Sequence, residues 1–195
     1  MVGGHEVQHR GAAETIGRDI ELFVDANGAY RPDQAVRIGH DLVDLGVRWF
    51  EEPVSSDDLE GLAAVRRSVD CDVAAGEYGY DLPYFRRLID AHAVDVLQVD
   101  VTRCGGISEF IRVAEMAALR GFELSAHTAP SLHLPLGCAV PNLRHLEHFH
   151  DHARLERIIF RGVIDPQQGH LSPDPSRPGT GLEVREETAA EYRVA

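Results

Sequence analysis

The stretch VRWFEEPVSSDDLEGLAAVRRSV, residues 47–69, decides the fold because it holds one complete strand-turn-helix unit. Its opening, VRWFEE, is rich in large apolar side chains and stops at two adjacent carboxylates, Glu51 and Glu52, just before Pro53. Ser56, Asp57 and Asp58 then offer capping side chains and negative charge where a helix starts, and Leu59, Leu62 and Ala63 supply its apolar stripe. The unit recurs along the chain. Candidate strands IELFVDA (20–26), DVAAGE (72–77), VDVLQVD (94–100), FELSAH (122–127) and LRHLEHF (143–149) join VRWFEE (47–52) to make six. Between them, PDQAVRIGHDLVDLG places Ala35, Ile38, Gly39, Leu42 and Leu45 on one helical face, with Pro32 opening the helix and Gly46 closing it. ISEFIRVAEMAALRG repeats that logic and ends at Gly121. Strands apolar on both faces, each followed by a helix and a short turn, predict an α/β fold with a parallel sheet covered by helices. EVQHRGAAETIG is helix-like but has no strand before it. Past residue 150 the pattern gives way to DPQQGHLSPDPSRPGTG, so residues 1–195 read as a single domain whose segment 150–195 wraps over the surface as a tail.

Charge and composition exclude several classes of function. The formal charge is −13, from 19 basic and 32 acidic residues, which repels phosphate backbones and anionic membranes and welcomes cations; no nucleic acid and no membrane is expected as a partner. No apolar run approaches the roughly 20 residues of a membrane span, and MVGGHEVQHR has no apolar signal region, so a cytoplasmic location is expected. Cys71, Cys104 and Cys138 are odd in number and lack C-x-x-C spacing, which argues against a disulfide framework and a cysteine zinc site. Every basic residue is arginine, so lysine is removed from every catalytic role.

The acids follow the repeat. Asp25, Glu51 and Glu77 are spaced 26 residues apart, and each closes its strand at the carboxyl end. In parallel βα folds those ends open on one face, so the three carboxylates are expected to converge around a hard divalent cation, Mg²⁺ before Ca²⁺ or Mn²⁺. Glu52 is expected to point away from Glu51 by strand alternation. Asp100 and His127 close the next two strands, 27 residues apart, which sets a carboxylate beside an imidazole as a candidate general base; Glu147 adds an acid on the same rim. The run RHLEHFHDH, with His145, His148, His150 and His152, matches no familiar closed zinc site. The glycine pair of RCGGISE fits a tight βα turn as well as a phosphate cradle.

VDANGAY, WFEEP, AGE, LQVDVTRCGGISE, SAHTAPS and PDPSRPGTGLEV, in that order and at that spacing, resemble the carboxyl-terminal barrel portion of the enolase superfamily, mandelate racemase-like subgroup, the mandelate racemase/muconate lactonizing enzyme family. The resemblance implies strands three to eight of a partial TIM (β/α)8 barrel without the amino-terminal capping domain; a complete barrel takes about 250 residues and eight strands. It further implies that Asp25, Glu51 and Glu77 bind Mg²⁺, that His127 and Asp100 form the catalytic dyad, that Glu147 hydrogen-bonds an enediolate, and that Asn27 sits at the substrate. The implied activity is removal of the proton alpha to a carboxylate, with dehydration of an acid sugar as the outcome. The alternatives are racemisation or epimerisation of a 2-hydroxy acid, and a non-catalytic truncated fragment that retains only the metal site. The implied partner is a small carboxylate substrate. Open edges at IELFV and LRHLEHF, and barrel-interior side chains such as Leu22 and Val24, predict self-association into a homo-oligomer.

Overall fold

The computed structural model describes residues 3–17 and 19–194. Helix α1 (Gly3–Ile16) precedes six βα-type repeats: β1 (Leu22–Asp25), α2 (Pro32–Asp44), β2 (Val47–Glu51), α3 (Leu59–Arg66), β3 (Asp72–Ala75), α4 (Leu82–Asp90), β4 (Val96–Val99), α5 (Ile107–Leu119), β5 (Glu123–Ala126), α6 (Pro130–Ala139), β6 (Leu143–Leu146) and α7 (His150–Ile159). β7 (Phe160–Arg161), β8 (Glu183–Val184) and α8 (Glu186–Ala189) follow. Strands β1 to β6 form one parallel sheet in chain order, the order of a partial (β/α)8 barrel, and all six candidate strands are present. No helix among the described residues is long and apolar enough to cross a membrane.

The chain divides into two compact units, Met1–Gly76 with Pro83–Leu97, and Glu77–Leu82 with Gln98–Ala195. In the first, β1 pairs with β2 so that Phe23 faces Trp49 and Asp25 faces Glu51, and β3 extends the sheet from β2 through Phe50↔Val73. Helix α2 opens on Pro32 and buries Ala35, Gly39 and Leu42, while Ile38 and Leu45 are half-buried. Gly39 is required by close approach: a Cβ there would stand 2.4 Å from Val69 Cγ1. Of the three capping candidates, Asp58 caps α3, accepting from Gly61 N at 2.9 Å. Asp95 ties the unit together by accepting from Arg66 Nε at 2.7 Å and from Val73 N at 2.9 Å.

The edge residues differ from expectation. Phe23 is 40% exposed and stacks on Trp49, while Leu22 and Val24 are half-buried. Side chains two apart share a strand face, so Phe23 lies with Asp25, and Leu22 and Val24 belong to the opposite face. Glu52 stands just past the end of β2, where its backbone takes a left-handed φ of 38° while its N–H donates to Ala74 O at 2.8 Å.

In the second unit, β5 and β6 pair through Ser125↔His145 and Ala126↔Leu146, and α5 buries Phe110, Val113, Ala114 and Ala117. Helix α7 occupies the start of the segment expected to be tail, and β7 pairs antiparallel with β8. Glu156 of α7 is a buried carboxylate that accepts from Ser131 N at 3.2 Å and Ser131 Oγ at 2.6 Å, pinning the first turn of α6.

Candidate active site

Each strand end delivers the group its sequence announced. Asp25 and Glu51 are the last residues of β1 and β2, Glu77 lies two past β3, and Asp100, His127 and Glu147 each follow the last residue of β4, β5 and β6. In the first unit, Asp25 accepts from Asn27 N at 2.7 Å and from Asn27 Nδ2. Asn27 is exposed and left-handed, with φ 46°, a conformation asparagine tolerates because its short amide bonds locally. Glu51 is 5% exposed and accepts from the Trp49 indole at 2.9 Å, so a buried aromatic fixes its carboxylate.

The second unit brings four of the candidates into one network. His127, 7% exposed, sets Nδ1 at 2.9 Å from Asp100 Oδ2 and Nε2 at 2.9 Å from Glu77 Oε2. Asp100 is 2% exposed; its Oδ1 accepts from Thr102 N and Thr102 Oγ1, both at 2.7 Å. Arg103 closes the other side, with Nη1 3.3 Å from Glu77 Oε1 and Nε 3.6 Å from Asp100 Oδ2. Glu147 accepts from Gln98 Nε2 at 2.6 Å and from the amide of Thr128, the residue after His127, at 3.1 Å.

These partners move the proton equilibria. Burial by itself lowers the His127 pKa, but the hydrogen bonds to Asp100 and Glu77, with the charges of Glu77 and Glu147, push it up to about 10. Burial raises Glu77 and Asp100, and the bonds to His127, joined by Arg103 at Glu77 and Thr102 at Asp100, hold both below the usual carboxylate range. A carboxylate on each ring nitrogen favours the protonated form of His127 over the neutral one. Asp100 keeps Nδ1 protonated, so release of Nε2 from Glu77 is what exposes a basic lone pair.

Asp25 and Glu51 belong to the first unit, and Glu77 to the second, where it is engaged by His127 and Arg103. Among the described residues no group of three or more His, Cys, Asp or Glu stands close enough to hold a metal ion. The chemistry of the donors fits a hard cation. Asp25, Glu51 and Glu77 offer only carboxylate oxygens, whereas burial pushes the Cys71 and Cys104 thiols up to about 11, away from thiolate ligation. Sequence reasoning missed Arg103 and Gln98. Gln98 was reachable, since it stands two residues before Asp100 and shares its face of β4.

Residues 5–188 match the family described as enolase C-terminal domain-like. The chain belongs to that family. Among curated relatives of this enolase-type domain is the arabinonate dehydratase of Saccharolobus solfataricus, 33% identical over 187 residues that cover 92% of this chain and 49% of the relative. A mandelate racemase/muconate lactonizing enzyme-like protein from Rubrobacter xylanophilus superposes with a TM-score of 0.91 at 45% identity, covering 96% of this chain and 52% of that one. An enolase from Bradyrhizobium complexed with magnesium and mandelic acid superposes with a TM-score of 0.90 at 29% identity, covering 98% and 51%. The enolase-type chain therefore spans about half the length of these proteins and falls in the mandelate racemase-like subgroup.

Proposed function

We propose that this chain abstracts the proton alpha to the carboxylate of an acid sugar, with magnesium as cofactor, and that the outcome is dehydration. The observation that carries the proposal is the second unit's network, in which His127 is fixed through Nδ1 by Asp100 and Glu147 is fixed beside it by Gln98 and the Thr128 amide. Its family membership and the dehydratase relative support the same chemistry. Once its Nε2 is free, His127 takes the α-proton, and Asp100 stabilises the imidazolium that forms. The electron pair left on the α-carbon moves into an enediolate, to which Glu147 donates a hydrogen bond in its protonated, carboxylic acid form. His127 then returns its proton to the β-hydroxyl, which leaves as water, and the resulting enol tautomerises to a 2-keto-3-deoxy acid. Asp25, Glu51 and Glu77, each offering only carboxylate oxygens, would be the residues to hold magnesium, which when bound would supply electrostatic stabilisation of the negative charge on the substrate carboxylate. One residue acting first as base and then as acid accomplishes this without a lysine, and the chain has none. Reprotonation of the α-carbon from the opposite face would instead give racemisation, a second reading favoured by the mandelic acid complex of the Bradyrhizobium relative.

The test is a screen of aldonic and aldaric acids with Mg²⁺, scored for 2-keto-3-deoxy product by its semicarbazone. Product with the parent and none with His127→Asn is the expected result. Product formation undiminished in His127→Asn would show that another group is the base.

A further inference from the structure

His133 lies outside the strand-end constellation, six residues after His127 and within the first turns of α6. Its ring is fully buried and packs against Phe110 of α5, with ring centroids 5.6 Å apart. Both nitrogens are committed to backbone. Nε2 accepts from Val101 N at 2.8 Å, and Nδ1 donates to Thr128 O at 2.8 Å, with Ala129 O at 3.2 Å. An amide N–H can only donate and a carbonyl can only accept, so the ring is the neutral tautomer with its proton on Nδ1. Burial lowers its pKa below the usual histidine value, in keeping with that form.

The bonded atoms matter because of their neighbours. Val101 follows Asp100, and Thr128 follows His127. Thr128 and Ala129 have φ values of 49° and 37°, a left-handed conformation that side chains bearing a Cβ, and a β-branched threonine above all, adopt only when surroundings impose it. The donor to their carbonyls is therefore placed where the backbone turns against its preference. Asp100 and His127 sit on separate strand-end turns, and their hydrogen bond requires the two turns to keep register. His133 bridges those turns through one rigid five-membered ring. Its own placement is set by Ser131, two residues earlier, which Glu156 holds through two hydrogen bonds.

We propose that His133 is a positioning residue that sets the spacing and orientation of the Asp100–His127 pair by clamping Val101 N on one turn and Thr128 O on the next. The proposal rests on the reading of His127 as base for its catalytic consequence, but the clamp itself can be tested without turnover. His133→Gln keeps an acceptor for Val101 N, His133→Asn keeps a donor for Thr128 O, and His133→Leu keeps neither.

In histidine-¹⁵N-labelled full chain, His133 is expected to show one pyrrole-type Nδ1 and one pyridine-type Nε2. The His127 Nδ1–H proton is expected to exchange with water at least about tenfold faster in His133→Leu than in the parent, with His133→Gln and His133→Asn between the two. Where acid-sugar turnover is measured, kcat should fall about 100-fold in His133→Leu with KM little changed, because the effect is misplacement of the base. A His133 ring carrying its proton on Nε2, or a His127 Nδ1–H exchange rate unchanged in all three variants, would overturn the proposal. If His133→Leu does not fold, the Gln and Asn variants carry the comparison on the same terms. A parent that never turns over an acid sugar yet shows the exchange pattern would refute the proposed reaction and leave the clamp standing; normal turnover in every folded variant would refute the clamp alone.

Discussion

Replacing Glu156 by alanine should loosen the first turn of α6, and the structure fixes the size of the effect. The Glu156 carboxylate is buried and accepts from Ser131 N at 3.2 Å and Ser131 Oγ at 2.6 Å. Hydrogen bonds to a charged acceptor contribute about 1.5–3 kcal/mol each, and donors left buried without one cost about 1–3 kcal/mol. The two bonds share one carboxylate, so they do not add in full, and alanine also removes the cost of burying a charge. The net loss is therefore about 2–3 kcal/mol for Glu156→Ala, and about 1 kcal/mol for Glu156→Gln, which retains an acceptor oxygen. Urea unfolding followed by circular dichroism measures it: with an m value of about 2 kcal/mol/M, the midpoint should fall by about 1–1.5 M in the alanine variant. A double-mutant cycle with Ser131→Ala should return a coupling of about 1 kcal/mol or more. A Glu156→Ala midpoint indistinguishable from the parent, or zero coupling to Ser131, would refute the assignment of Glu156 as the anchor of α6.

Trp49→Phe removes the indole N–H that reaches Glu51 and should cost about 1–3 kcal/mol in thermal or urea unfolding; an unchanged midpoint would show that the bond at 2.9 Å contributes nothing. The folded His127 pKa of about 10 lies above the ordinary 6.5, so its stabilisation is fully present below pH 6.5 and is lost as pH rises toward 10. His127→Gln should flatten that part of the stability curve, and an unaltered slope would contradict the paired imidazolium. Gly162 has φ 88°, and a Cβ there would stand 2.1 Å from Gly181 O, so Gly162→Ala should cost about 2–4 kcal/mol and expose the β7–β8 segment to proteolysis. Digestion at the parent rate would contradict that close approach.

The sheet was legible because its strands are short, apolar on both faces and punctuated by acids; Asp25 and Glu51 end β1 and β2 where the repeat put them. The pairing of Asp100 with His127 was legible for the same reason, since adjacent parallel strands of like length end side by side. Helix α7 was not. HDHARLERII fully buries only Ala153 and Glu156, with Ile158 and Ile159 half-buried, and it follows directly on the His-rich strand end and leads into a proline- and glycine-rich run, so its apolar face was read as part of the tail. Helix α6 was hidden likewise by Pro135 inside it, and its contribution to the site, His133, reads in sequence as one more buried histidine. The edge strand was misjudged although the clue was available: Phe23 stands two residues before Asp25 and so shares its face. The engagement of Glu77 by His127 and Arg103 depends on side-chain geometry that spacing does not encode.

The most direct test of a magnesium-dependent proton-abstracting site is solvent deuterium incorporation at the α-carbon, followed by proton NMR across a panel of acid sugars and 2-hydroxy acids. Racemisation or reversible abstraction places the deuterium at the α-carbon, whereas dehydration turns that carbon into a ketone and places the deuterium at C3 of the 2-keto-3-deoxy product as the enol tautomerises, so both positions are read. Such a site should remove the substrate's α-proton signal with Mg²⁺ present and leave it in place when the metal is chelated or when His127 is replaced by asparagine. Incorporation that persists at the parent rate in His127→Asn, or no deuterium at either the α-carbon or C3 of the product for any member of the panel with a folded, Mg²⁺-saturated chain, would contradict that expectation.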